Sequence, residues 1–436
     1  MPPQTLHLEV AEYTNAYQWR WKLHEPGGLP FLADHTVELN REDPHYRALL
    51  DLPGYVHHYA ASDRREVEEW RLVEEAGVWI GERVLGTSIA DALLARARPA
   101  VVVRVRVPPT ADWLLSLPLE IARRAANEDT LTRRGVCFVF ETAGEEPLDA
   151  DPVGKRLRIL ALFSLPPAGS PLNLRRERQM LRQRVQELVG DRGLAVDLHV
   201  LQYGVTRDRL QNVLQQGEGW DVIHFSGHGL PGALVLEQPD GRTDQVTATD
   251  LAQLIQQAGG RLKLVTLSAC LSAAATIDQT LDWLGITPDT VARRDSPGGP
   301  VLPEMVKAVP TVARALTEAL GCAVLGMRYA VEDEFAIRLV DGIYDLLLDK
   351  GQPLPQAVRL TLNRIAGDKG ATRPGALSIS APALVQFSWR FCRSKARPMA
   401  SALTSAKTRL RPQEGMLPRS AMHRARASSP AATRPR

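Results

Sequence analysis

Two short segments of this chain end on side chains that together could do chemistry. Residues 221–229 have the sequence DVIHFSGHG and residues 264–270 have the sequence LVTLSAC, so each apolar run leads to a reactive group. The first group is His228 and the second, 42 positions further on, is Cys270. An imidazole can take the proton of a thiol and return it to a leaving amine. A thiol and an imidazole that meet in the fold would therefore be the minimum equipment of a cysteine hydrolase.

The position of each residue at the end of an apolar run supports this interpretation. Cys270 follows a run that predicts a buried strand, whereas Cys137 and Cys322 lie inside apolar runs, as structural cysteines do. The glycines beside His228 let the backbone turn and bring amide groups close to a ligand. The N–H groups of Gly229 and Cys270 could then stabilise an oxyanion, at roughly 3–4 kcal/mol for each donor. Taken alone, each residue also fits a blander role, a solvated loop histidine or a structural cysteine.

Alternating strand and helix patterns predict the frame that would hold these residues. From residue 155 onward, predicted strands (155–163, 194–202, 221–226, 263–269 and 323–327) alternate with predicted helices (172–190, 311–320, 334–349, 355–367 and two short ones that begin near 206 and 249). Such alternation predicts a parallel sheet with helices on both faces. Sites in these sheets form beyond the carboxyl ends of the strands, where both His228 and Cys270 lie.

The first 150 residues are less regular. Strands are predicted at 6–13, 100–107 and 135–141, and helices at 62–85 and 116–128. The polar stretch 142–155 is the best candidate for a domain boundary.

Composition and charge restrict the class of protein. The chain has 436 residues, 44% apolar and 24% charged, which is typical of a globular protein of two or three domains. No apolar run approaches the roughly 18–20 residues that span a bilayer, and the N-terminus lacks the pattern of a secretory signal, so we expect a cytoplasmic protein. Four widely spaced cysteines suggest neither a disulfide framework nor a zinc motif.

The last 47 residues differ from the rest in charge. Of the 53 Lys and Arg residues, 12 lie from Arg390 onward against one acid, Glu414, which leaves 41 basic and 49 acidic residues in 1–389. The segment 390–436 is also rich in Ser, Ala and Pro without a hydrophobic period, which predicts a disordered basic tail. Such a tail could make weak, non-specific contact with nucleic acid or an acidic membrane surface.

The segment HFSGHG, followed about 40 residues later by LSAC, resembles the CHAT domain, a caspase-like cysteine peptidase family in the clan of caspases, gingipains and separase. Further segments fall in that family's order and spacing: SLPLE (116–120), RILALFSLPP with the helix that contains Glu177, VTRDRL, ALVLE, TATDLAQLI and GCAVLGMRYAVEDEFA. The resemblance covers about residues 100–389, with a core at 155–389. It implies an α/β fold, a caspase-like mostly parallel sheet flanked by helices. Residues 1–99 would then form a smaller N-terminal α+β region of unknown role.

The resemblance also implies roles for residues. His228 would be the general base, Cys270 the nucleophile and Gly229 a neighbour of the oxyanion, in a dyad that needs no third residue, metal or organic cofactor. The expected function is a cysteine endopeptidase that cuts a protein or peptide substrate and is regulated by a protein partner. The caspase context Gln-Ala-Cys-x-Gly is absent, because here the cysteine lies in Ser-Ala-Cys-Leu-Ser. The chain is therefore not expected to be a true caspase, and its substrate preference stays open.

Several alternatives remain at this stage. The whole chain could be a non-catalytic interaction or sensor module with the same fold. Asp333 could be a helix N-terminal acid or a pocket residue that prefers a basic P1 side chain. We expect His224 to be a core or supporting histidine and Ser226 to be a turn residue. The Pro- and Gly-containing stretch 276–308 is expected to be a surface insertion, with self-cleavage near Arg293 as the alternative.

Overall fold

One sheet of eleven strands runs through the described part of the computed structural model, in the order β3-β2-β1-β4-β5-β14-β13-β12-β8-β6-β7. The residues that the structure describes are 3–40, 42–50, 52–60, 65–98, 100–142, 156–166, 172–191, 193–230, 232–258, 261–270, 272, 311–327, 333–366 and 377–382. The strands are β1 (Gln4–Asn15), β2 (Gln18–His24), β3 (Phe31–Glu38), β4 (Val101–Arg106), β5 (Val136–Thr142), β6 (Leu157–Ser164), β7 (Val196–Gln202), β8 (Val222–Gly227), β9 (Gly229–Leu230), β10 (Ala233–Glu237), β11 (Thr243–Thr247), β12 (Leu264–Ser268), β13 (Ala323–Met327) and β14 (Leu377–Pro382).

Most neighbouring strands of this sheet are parallel. The pairs β1–β4, β4–β5, β5–β14, β13–β12, β12–β8, β8–β6 and β6–β7 are parallel, and β3–β2, β2–β1 and β14–β13 are antiparallel. Strands β9, β10 and β11 form a separate small sheet, in which β10 and β11 pair antiparallel. The predicted fold class, a mostly parallel sheet flanked by helices, is confirmed.

Helices cover the sheet on both faces. They are α1 (Pro44–Leu50), α2 (Leu52–Tyr59), α3 (Arg65–Trp79), which continues as a π-helical turn (Ile80–Leu85), α4 (Thr87–Arg96), α5 (Leu174–Gly190), α6 (Arg207–Leu214), α7 (Ala248–Ile255), α8 (Val312–Leu320), α9 (Asp333–Tyr344), followed by a π-helical turn (Asp345–Asp349), and α10 (Leu354–Ala366). Residues from α5, α9 and α10 share a core with one face of the central strands, and residues from α6, α7 and α8 share a core with the other. None of the described helices is long and apolar enough to cross a membrane.

The central strands are apolar on both faces because both faces are covered. On β6, Ile159 and Ala161 belong to the core with α5, whereas Leu160 and Leu162 belong to the core with α6 and α7. This explains why the predicted strands of this region are nearly continuous apolar runs, as parallel strands in α/β proteins are.

The N-terminal strands extend the same sheet. Strand β1 pairs with β4 in parallel register from Gln4↔Val101 to Glu9↔Arg106. Leu6, Leu8 and Trp21 are fully buried in a core shared with α1 to α4 and with β4 and β5. Main-chain pairing therefore crosses the expected boundary between residues 1–99 and 100–389, and the division into domains stays a prediction. The boundary stretch 143–155 lies outside the described residues.

The helix predicted at 116–128 is wrong. Two short 3₁₀ turns, Pro109–Ser116 and Leu119–Ile121, occupy this region. Pro118 disfavours helical backbone at the residue before it, and Leu117 accordingly is extended, with φ −62° and ψ 134°.

A buried carboxylate fixes the register at the amino end of the central strands. Asp221, fully buried just before β8, accepts hydrogen bonds from the Arg158 main-chain N (2.9 Å) and the Arg261 guanidinium (3.0 Å). The ammonium group of Lys263 lies 3.4 Å from its other oxygen. These partners precede or begin β6 and β12, so one residue ties three neighbouring strands together and sets how their far ends align.

Candidate functional site

The register of β8 and β12 brings the two predicted site residues to the same place. The strands are parallel neighbours, aligned from Leu264↔Val222 to Ser268↔Ser226. His228 lies two residues beyond Ser226, and Cys270 lies two residues beyond Ser268. Because the pairing is parallel and in register, both residues leave the sheet at the same edge and at the same level.

A close backbone contact joins the two segments beyond the strands. A Cβ atom placed on Gly229 would lie 2.2 Å from the Cys270 carbonyl oxygen and 3.1 Å from the Ala269 Cβ. On the other side of His228, a Cβ on Gly227 would lie 2.6 Å from the Ser164 carbonyl oxygen. These two positions need glycine because a side chain would not fit there, and not because the backbone is left-handed. The main chain on both sides of the imidazole is thus packed against its neighbours.

His228 is half-buried, and its imidazole has an uncommitted nitrogen. Its Nε2 atom is buried and has no hydrogen-bond partner among the described residues. Its carbonyl oxygen accepts a hydrogen bond from the Val235 main-chain N (3.0 Å), which anchors this segment to β10. A held backbone with a free ring nitrogen suits an imidazole that has to accept and release a proton.

Ser272 fastens the turn that carries Cys270, a role that the sequence analysis missed. The fully buried Ser272 accepts a hydrogen bond at Oγ from the Met327 N (3.0 Å) and at its carbonyl oxygen from the Ala313 N (3.1 Å). Its own N–H donates to the Ala269 carbonyl oxygen (3.4 Å). The turn after β12 is therefore tied to the end of β13 and to the first turn of α8, while Cys270 itself stays half-buried.

The other described cysteines are in the core. Burial raises the pKa of the Cys137 and Cys322 thiols to about 12, so neither forms a thiolate near neutral pH. The prediction that Cys137 is a small core residue is confirmed. Cys392 lies outside the described residues.

A buried carboxylate contacts β8 just before His228, and the sequence analysis had not assigned it a partner. Glu177, on α5 and 1% exposed, accepts a hydrogen bond at Oε2 from the Ser226 hydroxyl, and its Oε1 lies 3.3 Å from the His224 Nε2. His224 is fully buried, which confirms it as a core histidine. The expectation for Ser226 was wrong: it is a buried residue of β8, held in the strand by register pairing and by Glu177.

Two further hydroxyl groups complete this polar cluster. The Tyr344 hydroxyl donates to the Thr266 Oγ1 (3.1 Å) and lies 3.2 Å from the His224 Nδ1. Burial raises the pKa of Tyr344 far above its ordinary value, so the phenol stays neutral. Glu177, Ser226, His224, Tyr344 and Thr266 form the buried cluster, and all five are at most 1% exposed. It lies on the sheet face that α5 and α9 cover.

Asp333 begins α9, and its contacts support the helix-terminal interpretation. Its Oδ2 accepts a hydrogen bond from the Asn173 N (2.8 Å), at the residue that caps α5. Burial, with repulsion from Glu177 and Glu334, raises the pKa of the Asp333 carboxyl. Next to it, Glu334 pairs with Arg176. The carboxylate thus links the first turns of two helices, and a pocket role for it stays a prediction.

Two other expectations concern regions outside the described residues. The stretch 276–308, with Arg293, and the basic tail 390–436 both fall there.

The fold and site together define an α/β protein with a histidine and a cysteine in register beyond two neighbouring parallel strands. The family model described as "CHAT domain" matches residues 75–421. The match covers most of the chain, and the chain belongs to the CHAT domain family. It begins within α3, before the boundary expected at residue 100.

Solved structures that are similar include the Arg-specific cysteine proteinase gingipain R, at 12% identity and a TM-score of 0.39, over 74% of this chain and 76% of that chain. Separase in the Saccharomyces cerevisiae separase–securin complex is 10% identical with a TM-score of 0.45, over 87% of this chain but only 30% of that chain. Caspase-1 from Spodoptera frugiperda is 13% identical with a TM-score of 0.30, over 55% of this chain and 94% of that chain. No curated protein matches the chain.

Proposed function

We propose that this chain is a cysteine endopeptidase that cleaves a protein or peptide substrate with Cys270 as nucleophile and His228 as general base. The observation that carries the proposal is the in-register placement of the two residues beyond β8 and β12. Two supporting observations are the tight contact between Gly229 and the Cys270 main chain and the uncommitted Nε2 of His228.

The proposed reaction has two halves. His228 takes the thiol proton, the thiolate attacks the peptide carbonyl carbon, and the amide groups of Gly229 and Cys270 stabilise the negative oxygen of the tetrahedral intermediate. Collapse of the intermediate breaks the C–N bond, and the imidazolium protonates the leaving amine. His228 then activates a water molecule that hydrolyses the thioester, which releases the carboxylic acid product and restores the thiol.

Regulation by a protein partner belongs to this proposal as an expectation from the family resemblance. A cytoplasmic location belongs to it as an expectation from the sequence pattern. An enzyme restrained by a partner would be inactive in isolation, so the substrate is best sought where the partner is present.

N-terminal proteomics of cells that express the wild type, Cys270→Ala or His228→Ala tests the proposed function. We expect new protein N-termini in wild-type cells that both variants lack. The Cys322→Ala variant is the control, because it removes a buried thiol and leaves the site intact. If the same N-termini occur in wild-type and Cys270→Ala cells under conditions that activate the protein, the chain acts instead as a non-catalytic module.

The role of Asp333 in substrate choice is a separate part of the proposal. A pocket carboxylate would favour Arg or Lys at P1, so Asp333→Asn should reduce that preference while the Asn173 contact keeps an oxygen acceptor. The measurement is cleavage of a peptide library that varies only at P1. An unchanged P1 profile would leave Asp333 with its helix-terminal role alone.

A further inference from the structure

A second group of chemically capable side chains lies on β1 and β2, far along the sheet from β8 and β12. His7 and Glu9 are two residues apart on β1 and therefore point to the same face. His24, on the antiparallel neighbour β2, is the register partner of His7. Three potential metal ligands thus converge from two strands held by main-chain pairing.

The distances between the donor atoms suit one shared ion. The Glu9 Oε2 lies 3.1 Å from the His24 Nε2, and the Glu9 Oε1 lies 3.9 Å from the His7 Nδ1. All three donors lie within 4.8 Å of one another. Zinc binds nitrogen and carboxylate oxygen at about 2.0–2.2 Å in tetrahedral sites, which places ligand atoms about 3.3–3.6 Å apart. Small side-chain rotations would therefore close this group around one ion.

The ring of His24 is oriented by a contact on the side away from Glu9. The His24 Nδ1 lies 2.8 Å from the Glu25 carbonyl oxygen, and Nε2 is the ring nitrogen that faces Glu9. Metal-bound histidines commonly make this outer hydrogen bond to a carbonyl group.

The positive charge of Arg106, which would repel a bound cation, is already paired with carboxylates. Arg106 pairs through Nε with the buried Glu141, and its Nη1 lies 3.2 Å from the Glu9 Oε1. Arg104 also pairs with Glu141. The guanidinium group of Arg106 therefore holds one oxygen of Glu9 and leaves the other turned towards His24.

We propose that His7, Glu9 and His24 bind a divalent transition-metal ion, with Zn²⁺ as the best match to two imidazoles and one carboxylate. The half-exposed Glu9 leaves a fourth position for water. The ion would clamp β1 to β2. This site is independent of the proposed peptidase function. The alternative to a bound ion is a simple ion pair between His24 and Glu9.

Zinc titration of the full-length Cys270→Ala protein by calorimetry tests the site, because that variant removes the thiol that could also bind zinc. We expect one site per chain, a higher melting temperature with zinc, and affinity lowered at least about tenfold in His24→Gln and in Glu9→Gln. The matched control is His45→Gln, which breaks another histidine–carboxylate pair, with Asp43, and should bind as the parent does.

Two results would overturn the proposal. One is no zinc binding by the parent protein, and the other is equal zinc affinity in the parent and in folded His24→Gln and Glu9→Gln proteins. Absorption of bound Co²⁺ gives an independent readout, since a tetrahedral site with two imidazoles yields visible bands that should disappear in His7→Gln.

Discussion

At the scale of single residues, the proposed site depends on Gly227 and Gly229 as much as on His228 and Cys270. The motif Gly-His-Gly would ordinarily indicate a turn that needs glycine for its backbone angles. Here neither Gly227 nor Gly229 has a left-handed backbone, and each instead lies where a Cβ would overlap a carbonyl oxygen. The glycines therefore let the segment around His228 lie directly against the segment around Cys270.

Replacing Gly229 with alanine tests this interpretation. In Gly229→Ala the new Cβ would meet the Cys270 carbonyl oxygen at 2.2 Å, so the two segments have to separate. We expect the protein to lose about 1–3 kcal/mol of stability and to lose reactivity at Cys270. The control is Gly190→Ala, where a Cβ meets no atom within 4 Å. Denaturant unfolding that finds the two variants equally stable would contradict the interpretation.

At the scale of elements, side chains along β8 alternate between an apolar face and a polar face of the sheet. On β8, Ile223 and Phe225 belong to the core with α6 and α7, whereas His224 and Ser226 face α5 and α9. Thr266 on β12 is the register partner of His224. Polar residues of β8 and β12 therefore lie side by side on one sheet face, on the strands that lead to His228 and Cys270. Glu177 contacts Ser226, the last of them on β8.

A double-mutant cycle on Glu177 and Ser226 measures how strongly this cluster holds α5 to β8. Glu177→Ala leaves the Ser226 hydroxyl without its buried acceptor, so we expect a loss of about 1–3 kcal/mol in the free energy of unfolding. Because the two residues contact each other, the double variant should lose less than the sum of the single losses. Additive losses in chemical denaturation would show that the contact contributes little.

The same cluster shows where prediction from the sequence stops. Apolar runs identify β8 and β12, and their ends identify His228 and Cys270, because these signals are local. The hydrogen bond between Glu177 and Ser226 joins a helix to a strand 49 residues away, and only the packing of α5 on the sheet brings them together. Ser272 and the pair His7 and His24 escaped prediction for the same reason, since their partners come from other elements.

At the scale of the whole molecule, the N-terminal region contributes to the frame of the site. Strands β1 to β3 continue the sheet beyond β4, and Trp19 and Trp21 are buried against α1 to α4 and their neighbours. The sequence predicted a smaller N-terminal α+β region of unknown role at 1–99, because its strands could not be assigned to a sheet from periodicity alone. Main-chain pairing of β1 with β4 crosses residue 99, and the division at that residue stays a prediction.

Removal of residues 1–99 tests whether this region is part of one folding unit. The truncated chain would expose the edge of β4 and the apolar face that carries Val101, Val103 and Val105. We therefore expect it to aggregate on expression, while the full chain stays in solution. A monodisperse, cooperatively unfolding protein that starts at residue 100 would instead support the boundary expected from the sequence.

The most direct test of the central claim is the rate at which Cys270 reacts with a thiol-directed peptide electrophile, followed by mass spectrometry of the labelled residue. We expect Cys270 to be labelled in the wild type and labelled at least about 100-fold more slowly in His228→Ala, since the imidazole takes the proton from the Cys270 thiol. Cys137 and Cys322 should stay unlabelled, because burial raises the pKa of both thiols to about 12. Equal labelling of Cys270 in the wild type and in folded His228→Ala would contradict a working thiol–imidazole pair.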